Sequence, residues 1–279
     1  MSPRMAADHF RTGHLQTGGA RIYHEVRGSG PVLVFVPGGG VDATHFETIA
    51  SLLADTYTTV TYDRRGYFRS SLSSDDRSPS TISRHTNDLA ALIESLGAGP
   101  AAVWGGSLGA FIAMDLLSRR PELLTTALVH EPPLFSVLEG GGPPPLPRDL
   151  SHPRAAMEEH ARQTLGDNFD RLTPQQRERV IANGEAFFGT DAPGVIASLP
   201  TPGTLASALA SSTVTVHVLA CPGDPAPPLR RTSRWVADQA GTTLIDLPGG
   251  HMPYAVEPEA TAQILRNTIQ HTTATRSRP

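Results

Sequence analysis

Residues 101–117 carry the feature that most restricts the fold. An apolar, β-prone run, Ala101-Ala102-Val103-Trp104, leads into Gly105-Gly106-Ser107-Leu108-Gly109, and a helical pattern with Phe111, Ile112, Met114, Leu116 and Leu117 follows at once. Strand, sharp turn and helix are thereby compressed into a few residues. The serine at such a turn takes a strained backbone conformation, so its neighbours must be small, and glycines at 105, 106 and 109 supply that room. The turn lifts the Ser107 hydroxyl above the sheet edge. It also aims the first N–H groups of the new helix at the same point, where negative charge would be stabilised. Taken alone, the pentapeptide fits equally well a glycine-rich turn that happens to hold a serine.

The rest of the chain repeats the strand–helix rhythm. His14–Thr17 and Ala20–Val26 alternate at period two around Gly18-Gly19 and predict a β-hairpin, after a loose arm at 1–12. Val32–Val36 is a continuous apolar run of the kind buried on both faces of a parallel sheet, and it ends in Pro37-Gly38-Gly39-Gly40. Helices are predicted over 43–53, 82–96, 229–240 and 257–270, and strands over 57–62, 123–129, 213–220 and 242–247. The Gly/Pro stretch 139–145 and the absence of strand pattern over 151–212 predict an insertion of short helices (154–165, 174–188, 204–211). Residues 272–279 read as disordered. The expected architecture is a mainly parallel, eight-stranded α/β sheet with helices on both faces. Its core is 1–135 and 213–279, and a helical cap is inserted at 136–212.

In such sheets ligands bind at the carboxyl ends of the strands. The glycines at 38–40, Ser107, Glu131, Asp224 and His251 each follow directly on a predicted strand. A serine hydroxyl needs a base as it attacks, and His251, in a glycine-rich loop, is the best candidate. A carboxylate must orient the imidazole, and the chain order serine, acid, histidine admits two. Asp224, after the penultimate strand, is the first choice, and Glu131, after the strand that follows the elbow helix, is the alternative. Alternation along that strand sends His130 and Glu131 to opposite faces, so only one should see the site. The two N–H donors for a developing oxyanion are expected from Leu108 and Gly39.

Composition excludes several other chemistries. All 23 basic residues are arginine, so no lysine is present for a Schiff base or a P-loop. None of the 11 histidines lies in an H-E-x-x-H or Cys/His cluster, so no metal and no cofactor are expected. A net charge of −4 and a pI near 6.2 argue against nucleic acid and anionic membranes as partners. The single cysteine, Cys221, and a polar N-terminus without an apolar h-region fit a cytoplasmic chain. A homodimer is left open.

Four stretches together resemble the α/β-hydrolase superfamily from about residue 14 to 271. They are Gly105-Gly106-Ser107-Leu108-Gly109, Tyr62-Asp63-Arg64-Arg65-Gly66-Tyr67-Phe68-Arg69-Ser70, Gly223-Asp224 with Pro228, and Gly249-Gly250-His251-Met252-Pro253. Within it, His130-Glu131-Pro132-Pro133 and Pro248–Tyr254 look like the fungal zearalenone lactonases, whose triad acid follows the strand after the elbow helix. The resemblance implies a serine hydrolase with a helical cap that acts on a small-molecule ester or lactone. Acyl transfer, C–C or amide cleavage at the same site, or a hydrolase-like receptor with little turnover, are the alternatives.

Overall fold

The computed structural model describes residues 10–76, 78–142, 150–223 and 227–276, with residues 271–276 described by their backbone alone. Its central layer is a nine-stranded sheet. The strands are β1 (Arg11–Thr17), β2 (Ala20–Arg27), β3 (Val32–Val36), β4 (Thr58–Tyr62), β5 (Ser71–Leu72), β6 (Ala101–Gly106), β7 (Leu124–His130), β8 (Thr215–Ala220) and β9 (Leu244–Asp246). Eight of them run in the order β1-β2-β4-β3-β6-β7-β8-β9, and the two-residue β5 pairs beside β2. The hairpin β1–β2 and the β2–β4 pair are antiparallel, and every pair from β4 through β9 is parallel. Val60, Val34, Val103, Ala127 and Val216 lie side by side across β4, β3, β6, β7 and β8, all buried. With both faces covered, these strands have no need of polar alternation, which is why β3 and β6 read as unbroken apolar runs.

The helices up to β7 are α1 (Glu47–Leu53), α2 (Ile82–Leu96) and α3 (Leu108–Arg119), and a 3₁₀ turn at Ala43–Phe46 leads into α1. The start and stop of α2 are local. Thr81 accepts from the Arg84 N–H, and Gly97, at φ 63, ends the helix. Between β7 and β8 come α4 (Pro153–Leu165), α5 (Asn168–Arg171), α6 (Pro174–Ala182), α7 (Gly184–Ala186), a π-helical turn at Phe187–Asp191, α8 (Ala192–Ala197) and α9 (Pro202–Ala210). After β8 follow α10 (Pro228–Gln239), α11 (Pro253–Val256) and α12 (Pro258–Arg276).

Three expectations need correction. The arm at 1–12 is shorter, since β1 already begins at Arg11; residues 1–9 lie outside the described residues. The helix predicted over 174–188 is broken, and its tail widens into the π turn that turns Phe187, Phe188 and Asp191 into the interior. The last helix extends to Arg276, into the tail that reads as disordered, while 277–279 lie outside the described residues. Among the described residues no helix is long and apolar enough to cross a membrane.

Two polar clusters, one buried and one partly buried, tie the helical segment to the loops after β3 and β4. In one, Asp191 of the π turn takes both arms of Arg64, at 2.6 and 2.8 Å. In the other, Arg179 of α6 and Asn183 both donate to Asp42, each at 2.9 Å. These contacts hold the helices against the carboxyl ends of the strands.

Candidate active site

Ser107 begins α3 at φ 54 and ψ −123, a conformation that L-residues rarely adopt. The motif's outer glycines are what permit it. A Cβ at Gly105 would lie 2.3 Å from the Gly109 oxygen, and one at Gly109 would lie 2.4 Å from the Val36 oxygen. Helix α3 therefore packs backbone against backbone on β6 and the end of β3. Gly106 is different: a Cβ there would make only ordinary contacts, the nearest at 3.5 Å, so two of the three glycines carry the steric requirement.

The hydrogen-bond ladder of the sheet continues past the strand ends and joins three loops. The Ser107 N–H donates to the His130 carbonyl at 2.8 Å, and the Glu131 N–H donates to the Leu219 carbonyl at 3.3 Å. Glu131 leaves β7 at φ 45 and is buried. Its Oε1 accepts the Cys221 N–H at 2.8 Å, and its Oε2 lies 2.7 Å from His251 Nδ1. His251 is delivered by a turn after β9 that needs Gly249 at φ 93 and Gly250 at φ 65. Burial pushes the Glu131 carboxyl up, but the His251 hydrogen bond, the neighbouring imidazoles and the Cys221 N–H outweigh it and hold the group down at about 2. Glu131, one of the two candidate acids, is thus joined to His251. Asp224 lies outside the described residues.

The expectation that His130 and Glu131 face opposite ways fails, because the positive φ at Glu131 breaks the strand alternation there. The His130 ring stacks on Trp104 at 5.2 Å and lies 6.1 Å from the His251 ring, and its Nε2 is 3.8 Å from Glu131 Oε2. It is fully buried, and neither ring nitrogen has a hydrogen-bond partner among the described residues. Burial, helped by the charge on His251 and opposed by Glu131, pushes its pKa down from 6.5 to about 4. In an unfolded chain the ring takes a proton near 6.5. As pH falls from 6.5 to about 4, the unfolded state is therefore favoured, by about 3 kcal/mol at the end of that window. The depressed Glu131 carboxyl acts lower: its stabilising contribution is lost between 4.5 and about 2. His130→Phe, which keeps the stack on Trp104, is expected to flatten the stability loss between pH 6.5 and 4 in urea unfolding. An unchanged acid slope would show that His130 is not its source.

Gly38 and Gly39 complete the surroundings of Ser107. A Cβ at Gly38 would lie 3.2 Å from the Ser107 Cβ, and one at Gly39 would lie 2.5 Å from the Phe187 ring. The loop is thus pressed between the elbow and the π turn. Among the described residues no acceptor takes the N–H of Gly39 or Leu108. Beside it opens a cavity of about 500 Å³ bounded by Leu108, Phe111, Phe135, Phe187, Val195 and Leu199, with His251 and His160 in its wall. No charged side chain lines it among the described residues. Nor do those residues contain a group of three or more His, Cys, Asp or Glu able to hold a metal.

Sequence reading alone misses His160, Phe187 and the Arg64–Asp191 pair, and it names His130 without its stack on Trp104. Asp63-Arg64-Arg65-Gly66 was visible as a motif; its partner, 127 residues away, was not.

Comparison with known proteins agrees with this fold. The description of the alpha/beta hydrolase family matches residues 33–264. The uncharacterized hydrolase YraK of Bacillus subtilis (strain 168) is 30% identical over 94% of this chain and 97% of its own length. A zearalenone hydrolase of Cladophialophora bantiana is 26% identical over 95% of this chain and 99% of its own. Among solved structures, an alpha/beta hydrolase of Sphaerobacter thermophilus superposes with a TM-score of 0.63 at 25% identity, covering 92% of this chain and 100% of that one.

Proposed function

Because the chain belongs to the α/β-hydrolase family, we propose that it is a cofactor-independent serine hydrolase that cleaves an ester or lactone of a moderately bulky, apolar small molecule. The observation that carries this reading is the 2.7 Å contact between Glu131 Oε2 and His251 Nδ1. A carboxylate on Nδ1 leaves Nε2 without a proton and ready to take one. Ser107 Oγ attacks the carbonyl carbon as its proton passes to His251 Nε2. The oxyanion takes the N–H groups of Gly39 and Leu108. Collapse expels the alkoxide, which leaves with the proton from His251. Water, deprotonated by the same imidazole, then attacks the acyl group and frees Ser107. Glu131 stays ionised throughout and stabilises the imidazolium.

The substrate class rests on the cavity. Its wall is mostly apolar, and neither arginine nor lysine is among its described lining residues, which favours an apolar substrate over an acidic one. The similarity to a zearalenone hydrolase supports hydrolysis of a small molecule. The helices between β7 and β8 act as the cap that closes over it. A fluorophosphonate tests the chemistry directly. Ser107 Oγ should displace fluoride from phosphorus and leave one adduct per chain, located by mass spectrometry in the peptide containing Gly105–Gly109. No adduct, or an adduct elsewhere, would overturn the assignment.

A further inference from the structure

The carbonyl of Gly38 and the N–H of Gly39 belong to one planar trans peptide and point in opposite directions. Whatever fixes the Gly38 oxygen therefore fixes the direction of the Gly39 N–H. That oxygen accepts a hydrogen bond from Arg64 Nη2 at 2.8 Å. The guanidinium is itself held on its far side. Nη1 reaches Asp191 Oδ1 at 2.6 Å, and Nη2 reaches Oδ2 at 2.8 Å. Asp191 also accepts the Tyr67 hydroxyl at 2.5 Å and lies 2.7 Å from His85 Nε2. Arg64, Tyr67, His85 and Asp191 are all buried, none more than 1% exposed.

Stability alone does not account for such a cluster. A buried ion pair can usually be replaced by apolar side chains of similar volume with no loss of stability, and often with a gain. What this one supplies, and apolar packing could not, is a charge-assisted hydrogen bond to a single peptide oxygen. Bonds of that kind are about twice as strong as neutral ones, and they polarise the peptide so that its N–H becomes a better donor. The peptide in question abuts Ser107, since a Cβ on Gly38 would lie 3.2 Å from the Ser107 Cβ.

We infer that Arg64 is a positioning residue: through the Gly38 carbonyl it orients and polarises the Gly39 N–H that receives the oxyanion, and Asp191 makes that setting depend on the docked helical segment. The inference rests on the serine-hydrolase reading above. Because the oxyanion exists only in and after the first transition state, loss of Arg64 acts on kcat and spares KM.

The test uses Arg64→Met combined with Asp191→Asn, which removes both charges while methionine fills the arginine stem and asparagine still meets Tyr67 and His85. Arg64→Lys, which keeps the charge but loses the two-armed fork, is the milder second variant should the first not fold. The readouts are p-nitrophenyl butyrate turnover and inhibition by an aryl trifluoromethyl ketone. The ketone's carbonyl adds Ser107 Oγ to give an anionic hemiketal. The double variant is expected to lose about 10- to 100-fold in kcat with KM within about threefold, and to bind the ketone more weakly by the same factor. Arg64→Lys should fall between it and the wild type on both measures. A raised KM at constant kcat, or a lower kcat with unchanged ketone affinity, would show Arg64 to be structural only. Failure of the wild type itself to turn over ester or bind the ketone would instead sink the serine-hydrolase reading, and this inference with it.

Discussion

A Ser107→Ala protein is expected to fold as the wild type does and to lose ester turnover by a factor of about 10⁴ or more. The fold is spared because the substitution changes little around the residue. Alanine is no more strained at φ 54 than serine, and among the described residues the hydroxyl has no hydrogen-bond partner to lose. The loss is large because the hydroxyl is the atom that forms the new bond. Without it, only substrate binding and the oxyanion donors remain, and in well-studied triads these sustain roughly 10³ to 10⁴ over the uncatalysed rate. Melting temperature and kcat for an activated aryl ester, measured side by side, check both halves. Turnover at the wild-type rate would remove Ser107 from the chemistry.

Glu131→Gln is expected to cost about 10⁴ in kcat, against less than about threefold for Asp224→Asn. The reason lies in which end of the new amide goes where. The Cys221 N–H points at Oε1 from 2.8 Å and demands an acceptor, so the amide oxygen settles there. The NH₂ is left facing His251 Nδ1, 2.7 Å away in the wild type. A donor at that place forces Nδ1 to accept and puts the ring's proton on Nε2, the atom that has to receive one from the serine. The side chain keeps its shape while the imidazole holds the wrong tautomer. Rates for both variants across pH 6–9 separate the two carboxylates. A collapse in Asp224→Asn with Glu131→Gln near wild type would reassign the acid.

The layers of the fold were legible because its strands and helices follow local rules. The apolar run at Val32–Val36, the periodicity of Ile82–Leu96 and the glycines around Ser107 all reflect what each segment buries, and each appears in the structure within a few residues. The serine and histidine were legible for the same reason, since both follow strands in glycine-rich turns. The carboxylate that meets His251 was not. Chain order admits both Glu131 and Asp224, and what carries Glu131 to the imidazole is a backbone at φ 45 together with the Cys221 N–H, 90 residues on. The π turn was hidden because Pro174–Phe188 carries the composition of one ordinary helix. The turn brings Asp191 inward to Arg64, a contact no local pattern announces.

The backbone twist at Ser107 bears on any effort to harden this protein against heat. Glycine is at ease at φ 54, where serine is not, and relaxing such a residue is worth on the order of 1 kcal/mol. A screen that rewards survival alone would drift toward Ser107→Gly and return a sturdier, inert protein. Laboratory evolution on this scaffold has to score turnover in every round, since a gain in robustness is open at the residue proposed as the nucleophile.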